Sequence, residues 1–178
     1  SRFIMNCSDC SRCTHHMHFH HHPGSYENTG KILLVGNPNV GKSAIFSRLT
    51  GVHALSSNYP GTTIGFNEGW LRLEKQTYKI IDVPGAYTLD PTNEAEEVAR
   101  KIIEDGGDLA IIVLDATALE RNLYLAFQVL ERGIPVIIAL NMMDETRHKG
   151  ITLDSEKLES LLGVPVIPTV GVIGQGIK

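Results

Sequence analysis

Hydrophobic positions follow two alternating spacings along the chain from residue 31 onward. Short runs of β-branched and other apolar residues are typical of buried strands, and they alternate with stretches in which apolar residues recur at helical spacing. Strands are predicted at 31–35, 66–73, 78–81, 109–114, 135–140 and 164–168, and helices at 42–50, 93–104, 119–132 and 154–162. This alternation predicts an α/β fold, with a mostly parallel six-stranded sheet and helices on both faces.

Residues 51–64 interrupt the pattern. They are rich in Ser, Asn, Pro, Gly and Thr and have no clear periodicity, so we expect a long loop. Long loops inside compact domains are usually functional. The two strands that follow alternate in the manner of a half-buried sheet and lie close together in the chain, which predicts an antiparallel hairpin.

The composition changes sharply near Pro23, because all three Cys and six of the eight His precede it. We therefore interpret residues 1–29 as a Cys/His-rich N-terminal extension and residues 30–178 as one domain. With 42% hydrophobic residues in 178, a single packed core is feasible, which excludes a disordered or fibrous chain.

The sheet would usually need one more helix after its last predicted strand. We expect the chain to be a C-terminally truncated fragment of a longer protein.

The charge balance gives little sign of a polyanionic partner. Lys and Arg number 16 against 20 Asp and Glu, a formal net charge of −4, so no nucleic acid is expected as a partner. The longest apolar runs are far shorter than the roughly 18 residues that span a bilayer. No secretory signal is recognisable at the start. We expect this stretch to be soluble, with any anion held by a local site.

A glycine-rich segment between the first predicted strand and helix fits the phosphate-loop pattern G-x-x-x-x-G-K-[ST]. Such a loop curls its backbone N–H groups around phosphates at the start of a helix. We expect Lys42 to reach the outer phosphates and Ser43 to bind Mg²⁺. The predicted nucleotide-binding residues of this segment are Gly36, Asn37, Pro38, Asn39, Val40, Gly41, Lys42 and Ser43.

A second candidate segment, Asp82-Val83-Pro84-Gly85, follows the strand at 78–81. It places an acid at the carboxyl end of a strand, where open α/β sheets bind ligands. We expect Asp82 to hold Mg²⁺ through a water molecule and the Gly85 N–H to approach a γ-phosphate. The residues at 86–92 could then order or collapse with that contact.

A third segment, Asn141-Met142-Met143-Asp144, follows the buried strand at 135–140. It resembles the N-K-x-D motif with which GTPases recognise guanine, in which the aspartate accepts hydrogen bonds from N1 and N2 of the base. Met142 replaces the lysine and can cover the base face without charge. Thr169, Val170 and Gly171 occupy the place of the second guanine-binding loop, although they match its usual sequence poorly.

The predicted loop contributes Gly61, Thr62 and Thr63, of which we expect Thr63, or else Thr62, to close on Mg²⁺ and the γ-phosphate. Together the segments GNPNVGKS, NYPGTTI, DVPGAYTL and ALNMMDE resemble the cytosolic GTPase domain of FeoB-type ferrous iron transporters, over residues 31–177. The resemblance implies a Ras-like P-loop GTPase fold. It also implies covalently linked helical and membrane-spanning iron-permease domains outside this chain, with this domain at the cytoplasmic face of the bacterial inner membrane.

The resemblance also bears on catalysis. Ala86 stands where Ras-like enzymes place a water-orienting glutamine. The family implies slow, potassium-stimulated hydrolysis of GTP to GDP and phosphate, in which Asn39 helps to hold K⁺. Asn39 is alternatively a turn residue that tolerates the left-handed conformation. The predicted catalytic set is Asn39, Lys42, Thr63 and Gly85.

The N-terminal extension carries candidate metal ligands. Cys7, Cys10 and Cys13 have metal-like spacing, and six histidines follow, at positions 15, 16, 18, 20, 21 and 22. These ligands suit Zn²⁺ or Fe²⁺. A flexible metal-scavenging tail and an inert, cloning-derived tail are both left open.

The sequence favours a GTP-binding and GTP-hydrolysing switch of a ferrous iron transporter. One alternative is a soluble ribosome- or RNA-associated GTPase, although the usual N-K-x-D lysine and a basic appendage are missing. Another is a metal-sensing module with a regulatory nucleotide site. The sequence does not determine whether the chain forms homo-oligomers.

Overall fold

A computed structural model describes residues 29–51 and 54–177. The strands are β1 (Gly30–Gly36), β2 (Ala54–Asn58), β3 (Gly65–Leu73), β4 (Gln76–Asp82), β5 (Leu109–Asp115), β6 (Val136–Asn141) and β7 (Val166–Pro168). The helices are α1 (Lys42–Thr50), α2 (Glu94–Glu104), α3 (Leu119–Leu130), α4 (Met143–His148) and α5 (Ser155–Leu162), with a 3₁₀ turn at Ala116–Ala118.

The strands form one sheet in the order β2-β3-β4-β1-β5-β6-β7. β4, β1, β5, β6 and β7 run parallel, and β3 is antiparallel to both β2 and β4. The predicted α/β class and the predicted hairpin, now β3 and β4, are therefore confirmed. Parallel neighbours joined through helices are what the alternating pattern requires.

The sheet has seven strands rather than the predicted six. The additional strand, β2, lies inside the stretch that we expected to be a loop, and it pairs with β3 from Ala54–Gly69 to Asn58–Gly65. All five of its residues are exposed. Because backbone hydrogen bonds rather than a buried face hold this edge strand, its sequence carries no alternating apolar signal.

Two apolar clusters cover the two faces of the sheet. Leu33 and Val35 of β1 belong to the cluster beneath α2 and α3, whereas Ile32 and Leu34 belong to the cluster beneath α1. This division follows the two-residue period of a strand. Helices therefore lie on both faces, and the central strands are buried on both sides.

Side chains cap helices α2 and α5, and one short helix was not predicted. Asn93 accepts a hydrogen bond from the backbone of Glu96, and Asp154 accepts one from Lys157, so each side chain caps its helix. Helix α4 was not predicted, because six residues are too few to show helical periodicity.

Three of the chemically interesting segments meet at the carboxyl edge of the sheet. β1 ends at Gly36, β4 at Asp82 and β6 at Asn141. The parallel register places Leu34 beside Asp82 and Asp115 beside Asn141. The fold thus brings together residues that are more than 100 positions apart in the sequence.

Candidate functional site

A cavity of about 600 Å³ lies above this edge. The residues that line it are Asn37, Pro38, Asn39, Gly41, Lys42, Ser43, Gly85 and Met142. Six of the eight belong to the predicted phosphate loop, and each of the other two comes from one further predicted segment. Asn39 adopts a left-handed backbone, with φ of 63°.

Helix α1 begins directly at this cavity. Gly41, the residue before the helix, has no side chain with which to cap it. The N–H groups of the first helical turn therefore remain available to an anion, and the helix dipole adds positive potential there.

One position in the cavity requires glycine, and a second glycine lies in a close backbone approach. Gly41 has φ of 84°, and a Cβ there would lie 2.2 Å from the side-chain nitrogen of Asn141. A Cβ at Gly85 would lie 3.2 Å from the Cα of Pro38. Both glycines let two backbone segments approach at the site, so a larger residue would displace the loop.

Lys42 and Asp82 form a nearly buried ion pair between the phosphate loop and the end of β4, with 11% and 9% of their side chains exposed. Asn67 of β3 lies beside the second carboxylate oxygen of Asp82, with its amide nitrogen 3.5 Å away. The carboxylate therefore faces the loop next to Ser43. Oxygen donors of this kind suit Mg²⁺.

Asn141 ties three segments of the site together. Its side-chain nitrogen donates to the carbonyl of Val40 at 2.9 Å. Its side-chain oxygen accepts from the backbone N–H of Gly171 at 2.9 Å and from the hydroxyl of Thr169 at 3.2 Å. The loop at 169–171, which matched its sequence motif poorly, therefore lies beside the phosphate loop and the 141–144 segment.

The 141–144 segment turns sharply after Asn141. Met142 has a left-handed backbone, with φ of 62°, and lines the cavity. Asp144 lies exposed in the first turn of α4. The turn thus directs Met142 toward the cavity while Asp144 is open to solvent next to it.

The two candidate threonines lie in different settings. The hydroxyl of Thr62 donates to the carbonyl of Tyr59 at 2.9 Å and accepts from the N–H of Ile64 at 3.2 Å, so it stabilises its own turn. Thr63 is exposed, and neither it nor Gly61 is among the residues that line the cavity. Of the two, Thr63 has the side chain that is free of the turn.

Two residues that sequence reasoning missed hold the segment after Gly85. Glu96, only 3% exposed, accepts hydrogen bonds from the N–H and hydroxyl of Thr92 and from the N–H of Tyr87. Gln128 of α3 accepts from the N–H of Leu89 at 2.8 Å and donates to Asp90 at 2.9 Å. The Asn-x-x-Glu pattern of a capping box at 93–96 was the available signal for Glu96.

The Glu96 contacts make the segment sensitive to acid. The hydrogen bond from the Thr92 backbone is the main cause that lowers the pKa of Glu96, and burial partly opposes it. Because the folded-state pKa lies below that of the unfolded chain, the carboxylate adds stability above the unfolded value, about 4.3, and loses it as the pH falls through the folded value.

We expect Glu96→Gln to lower the melting temperature at pH 7, since the amide accepts these hydrogen bonds more weakly than a carboxylate does. The difference from the unsubstituted protein should shrink as the pH falls below about 4. Thermal unfolding across pH 3 to 7 checks this. Glu74→Gln, in the exposed β3–β4 turn, serves as the control. A difference that does not vary with pH would contradict the assignment.

The predicted Cys/His cluster, with Cys7, Cys10 and Cys13, lies outside the described residues. Within residues 29–51 and 54–177, no group of three or more His, Cys, Asp and Glu side chains is placed to hold a metal ion. The same ranges contain no helix long and apolar enough to cross a bilayer.

Comparison with known proteins identifies the family. The family model described as ferrous iron transport protein B matches residues 30–178. The chain belongs to this FeoB family. It is 46% identical over 149 residues to the Fe(2+) transport protein A/Fe(2+) transporter FeoB fusion protein of Porphyromonas gingivalis, covering 83% of this chain and 18% of that protein.

Solved FeoB structures share the fold. The cytosolic domain of L. pneumophila FeoB superposes with a TM-score of 0.80 at 44% identity, over 83% of this chain and 59% of that one. A mutant of S. thermophilus NFeoB bound to GDP gives a TM-score of 0.78 at 40% identity, over 83% and 58% of the two chains. The predicted resemblance to FeoB is therefore confirmed. The chain spans about a fifth of the length of the FeoB transporters that it matches.

Proposed function

We propose that this chain binds and hydrolyses GTP, as the cytosolic switch domain of a ferrous iron transporter. The observation that carries the proposal is the single cavity in which the phosphate loop, Gly85 and Met142 meet. The GDP bound to the S. thermophilus relative supports a guanine nucleotide as the ligand. Family membership favours this function over a ribosome-associated GTPase. The division into an extension at 1–29 and a nucleotide domain at 30–178 is part of the proposal.

The phosphates would lie on the N-terminal end of α1. The backbone N–H groups of residues 39–43 would surround the anion there, and Lys42 supplies a full positive charge. To reach the phosphates Lys42 must leave Asp82, which it contacts in the structure. Nucleotide binding therefore frees the Asp82 carboxylate as it recruits the lysine.

The residues present fit a magnesium ion. The Ser43 hydroxyl and the freed Asp82 carboxylate are hard oxygen donors on adjoining segments, and Thr63 is free of its turn to join them. When bound, Mg²⁺ neutralises charge on the β- and γ-phosphates. Gly85 donates its N–H to the γ-phosphate. When hydrolysis removes the γ-phosphate, this hydrogen bond is lost and the segment that Glu96 and Gln128 hold relaxes.

The base would lie beside Met142. Asp144 accepts two hydrogen bonds from guanine, which adenine does not offer, and Met142 covers the face of the ring. Asn141 sets their position, because it fixes this segment to Val40 and to the 169–171 loop. The 169–171 loop matches its usual sequence poorly, but the backbone N–H of Gly171 donates to Asn141 and so holds the loop beside this segment.

Potassium dependence tests both the activity and the role of Asn39. We expect slow turnover of GTP but not ATP, faster in K⁺ than in Na⁺ at equal ionic strength, which cancels general screening. The amide oxygen of Asn39 would hold the cation where other GTPases place an arginine. Asn39→Ala should abolish the K⁺ stimulation and leave GTP binding largely intact. Cation-independent turnover would count against a potassium site.

A second variant separates a cation ligand from a turn residue. Asn39 has a positive φ, which glycine adopts without strain. Asn39→Gly therefore keeps the turn and removes the amide. Loss of K⁺ stimulation in this variant supports a ligand role, whereas retained stimulation would leave Asn39 as a turn residue only.

The transporter context follows from the relatives. They are named Fe(2+) transporters, and this chain matches about a fifth of their length. We therefore propose that helical and membrane-permease domains are linked to this one, and that it acts at the cytoplasmic face of the bacterial inner membrane. The change at Thr63 and Gly85 between GTP and GDP would be passed to those parts.

The Cys/His extension remains a candidate Zn²⁺ or Fe²⁺ site.

A further inference from the structure

Asn37 is a buried amide without a protein partner. Its residue is 2% exposed, and within the described part of the chain neither its side-chain oxygen nor its side-chain nitrogen forms a hydrogen bond. Leaving a buried polar group unpaired is energetically unfavourable. We therefore expect the Asn37 amide to form hydrogen bonds with a ligand that binds in the site or with a protein segment that moves next to it.

Asn37 lies in the phosphate loop between two residues that contact the segment at Gly85. Asn37 directly follows Gly36, whose carbonyl accepts a long hydrogen bond of 3.3 Å from the N–H of Ala86. Gly85 packs against Pro38, since a Cβ at Gly85 would lie 3.2 Å from the Pro38 nitrogen. Asn37 and Gly85 also line the same cavity.

The amide has both a donor and an acceptor, which limits the groups that can be its hydrogen-bond partners. A phosphate offers only acceptors, so it can take a hydrogen bond from the nitrogen but cannot satisfy the oxygen. Lys42 is paired with Asp82 in this structure and would be held by the phosphates once nucleotide binds, and the N–H of Tyr87 is bound to Glu96. A peptide segment offers both a donor and acceptors, and the neighbouring segment contributes the weakly held N–H of Ala86.

We propose that Asn37 is a positioning residue that couples the γ-phosphate to the Gly85 segment. As Gly85 moves onto the γ-phosphate, the N–H of Ala86 passes from the Gly36 carbonyl to the Asn37 oxygen, and the Asn37 nitrogen donates to a carbonyl of the same segment. The Ala86 N–H thereby exchanges one acceptor for another, and the hydrogen bond from the Asn37 nitrogen is the additional one that GTP gains and GDP does not. This inference rests on the proposed function and deepens it.

The test compares Asn37→Ala with the unsubstituted protein by affinity for a non-hydrolysable GTP analogue and for GDP. One additional hydrogen bond of ordinary net strength corresponds to about a fivefold change in affinity. We expect the analogue to bind about fivefold more weakly, GDP to bind unchanged, and GTP turnover to fall. The melting temperature without nucleotide should not fall, because no protein hydrogen bond is lost.

Asn122→Ala is the matched control. Asn122 is 1% exposed, but its amide is paired with the Asp115 N–H and the Ala118 carbonyl. This variant should lower the melting temperature and leave the ratio of GTP to GDP affinity unchanged. Asn37→Ser, whose hydroxyl both donates and accepts, should fall between Asn37→Ala and the unsubstituted protein.

The outcomes separate the two proposals. Equal losses for GTP analogue and GDP, or no loss for either, in both Asn37 variants would overturn the positioning role while GTP binding stands. A lowered melting temperature with an unchanged affinity ratio would make Asn37 a structural residue like Asn122, which also overturns it. If the unsubstituted protein binds neither nucleotide, the proposed function fails first and this inference fails with it.

Discussion

Replacing Lys42 with alanine should reduce GTP turnover by at least about 100-fold, the scale observed when one preorganised charge-stabilising group is removed. In the proposed mechanism the variant loses the positive charge nearest to the transferred phosphate. It also leaves Asp82 nearly buried without its ion-pair partner. Turnover at saturating GTP, together with thermal unfolding of the variant, measures the two consequences separately.

Two further variants make this result specific. Lys42→Arg keeps a cation beside Asp82 but presents a bulkier planar group to the loop, so it should fold and still lose activity. Lys79→Ala removes a lysine that pairs with Glu68 on the hairpin, away from the cavity, and should leave turnover unchanged. Full turnover in Lys42→Arg would show that position 42 supplies only charge, whereas a loss in Lys79→Ala would point to general destabilisation.

Asp144→Asn should exchange guanine preference for xanthine preference. In the proposed site the carboxylate accepts two hydrogen bonds from guanine, each worth about 1.5–3 kcal/mol when one partner is charged, so GTP affinity should fall by at least about 100-fold. An asparagine instead accepts from N1 and donates to the second carbonyl of xanthine. Competition of GTP and XTP for a fluorescent nucleotide measures the exchange.

Asp154→Asn provides the control for that substitution. Asp154 caps α5 far from the base segment, and asparagine caps a helix about as well as aspartate does. This variant should therefore keep both its fold and its preference for GTP. If Asp144→Asn also kept its selectivity for GTP, the assignment of the 141–144 segment to base recognition would be wrong.

Local patterns account for most of the fold. The helices at 42–50 and 94–104 and the hairpin at 65–82 were recognisable because apolar periodicity and capping residues lie within one element. Strand β2 was not predicted because backbone hydrogen bonds to its neighbour hold an exposed edge strand, which therefore needs no alternating apolar pattern. Helix α4 escaped because it is shorter than two helical turns.

The candidate site divides in the same way. Spacing alone singled out the phosphate loop, Asp82, Gly85 and the 141–144 segment, because each is a short run whose chemistry depends on neighbouring residues in the chain. Judged by its side chains, the 169–171 loop matches its usual motif poorly. The contact that joins this loop to the site is the hydrogen bond from the backbone N–H of Gly171 to Asn141, which side-chain identity does not indicate.

The sequence by itself therefore determined the class of fold, the family and the segments of the candidate site. Only the tertiary structure decided how those segments are joined: Asn141 to Val40 across 101 positions, Gln128 to Leu89 across 39, and the Asn37 amide buried without a hydrogen-bond partner among the described residues. Such links depend on which strand ends meet at one edge of the sheet. That adjacency arises from long-range packing, which no local spacing of residues encodes.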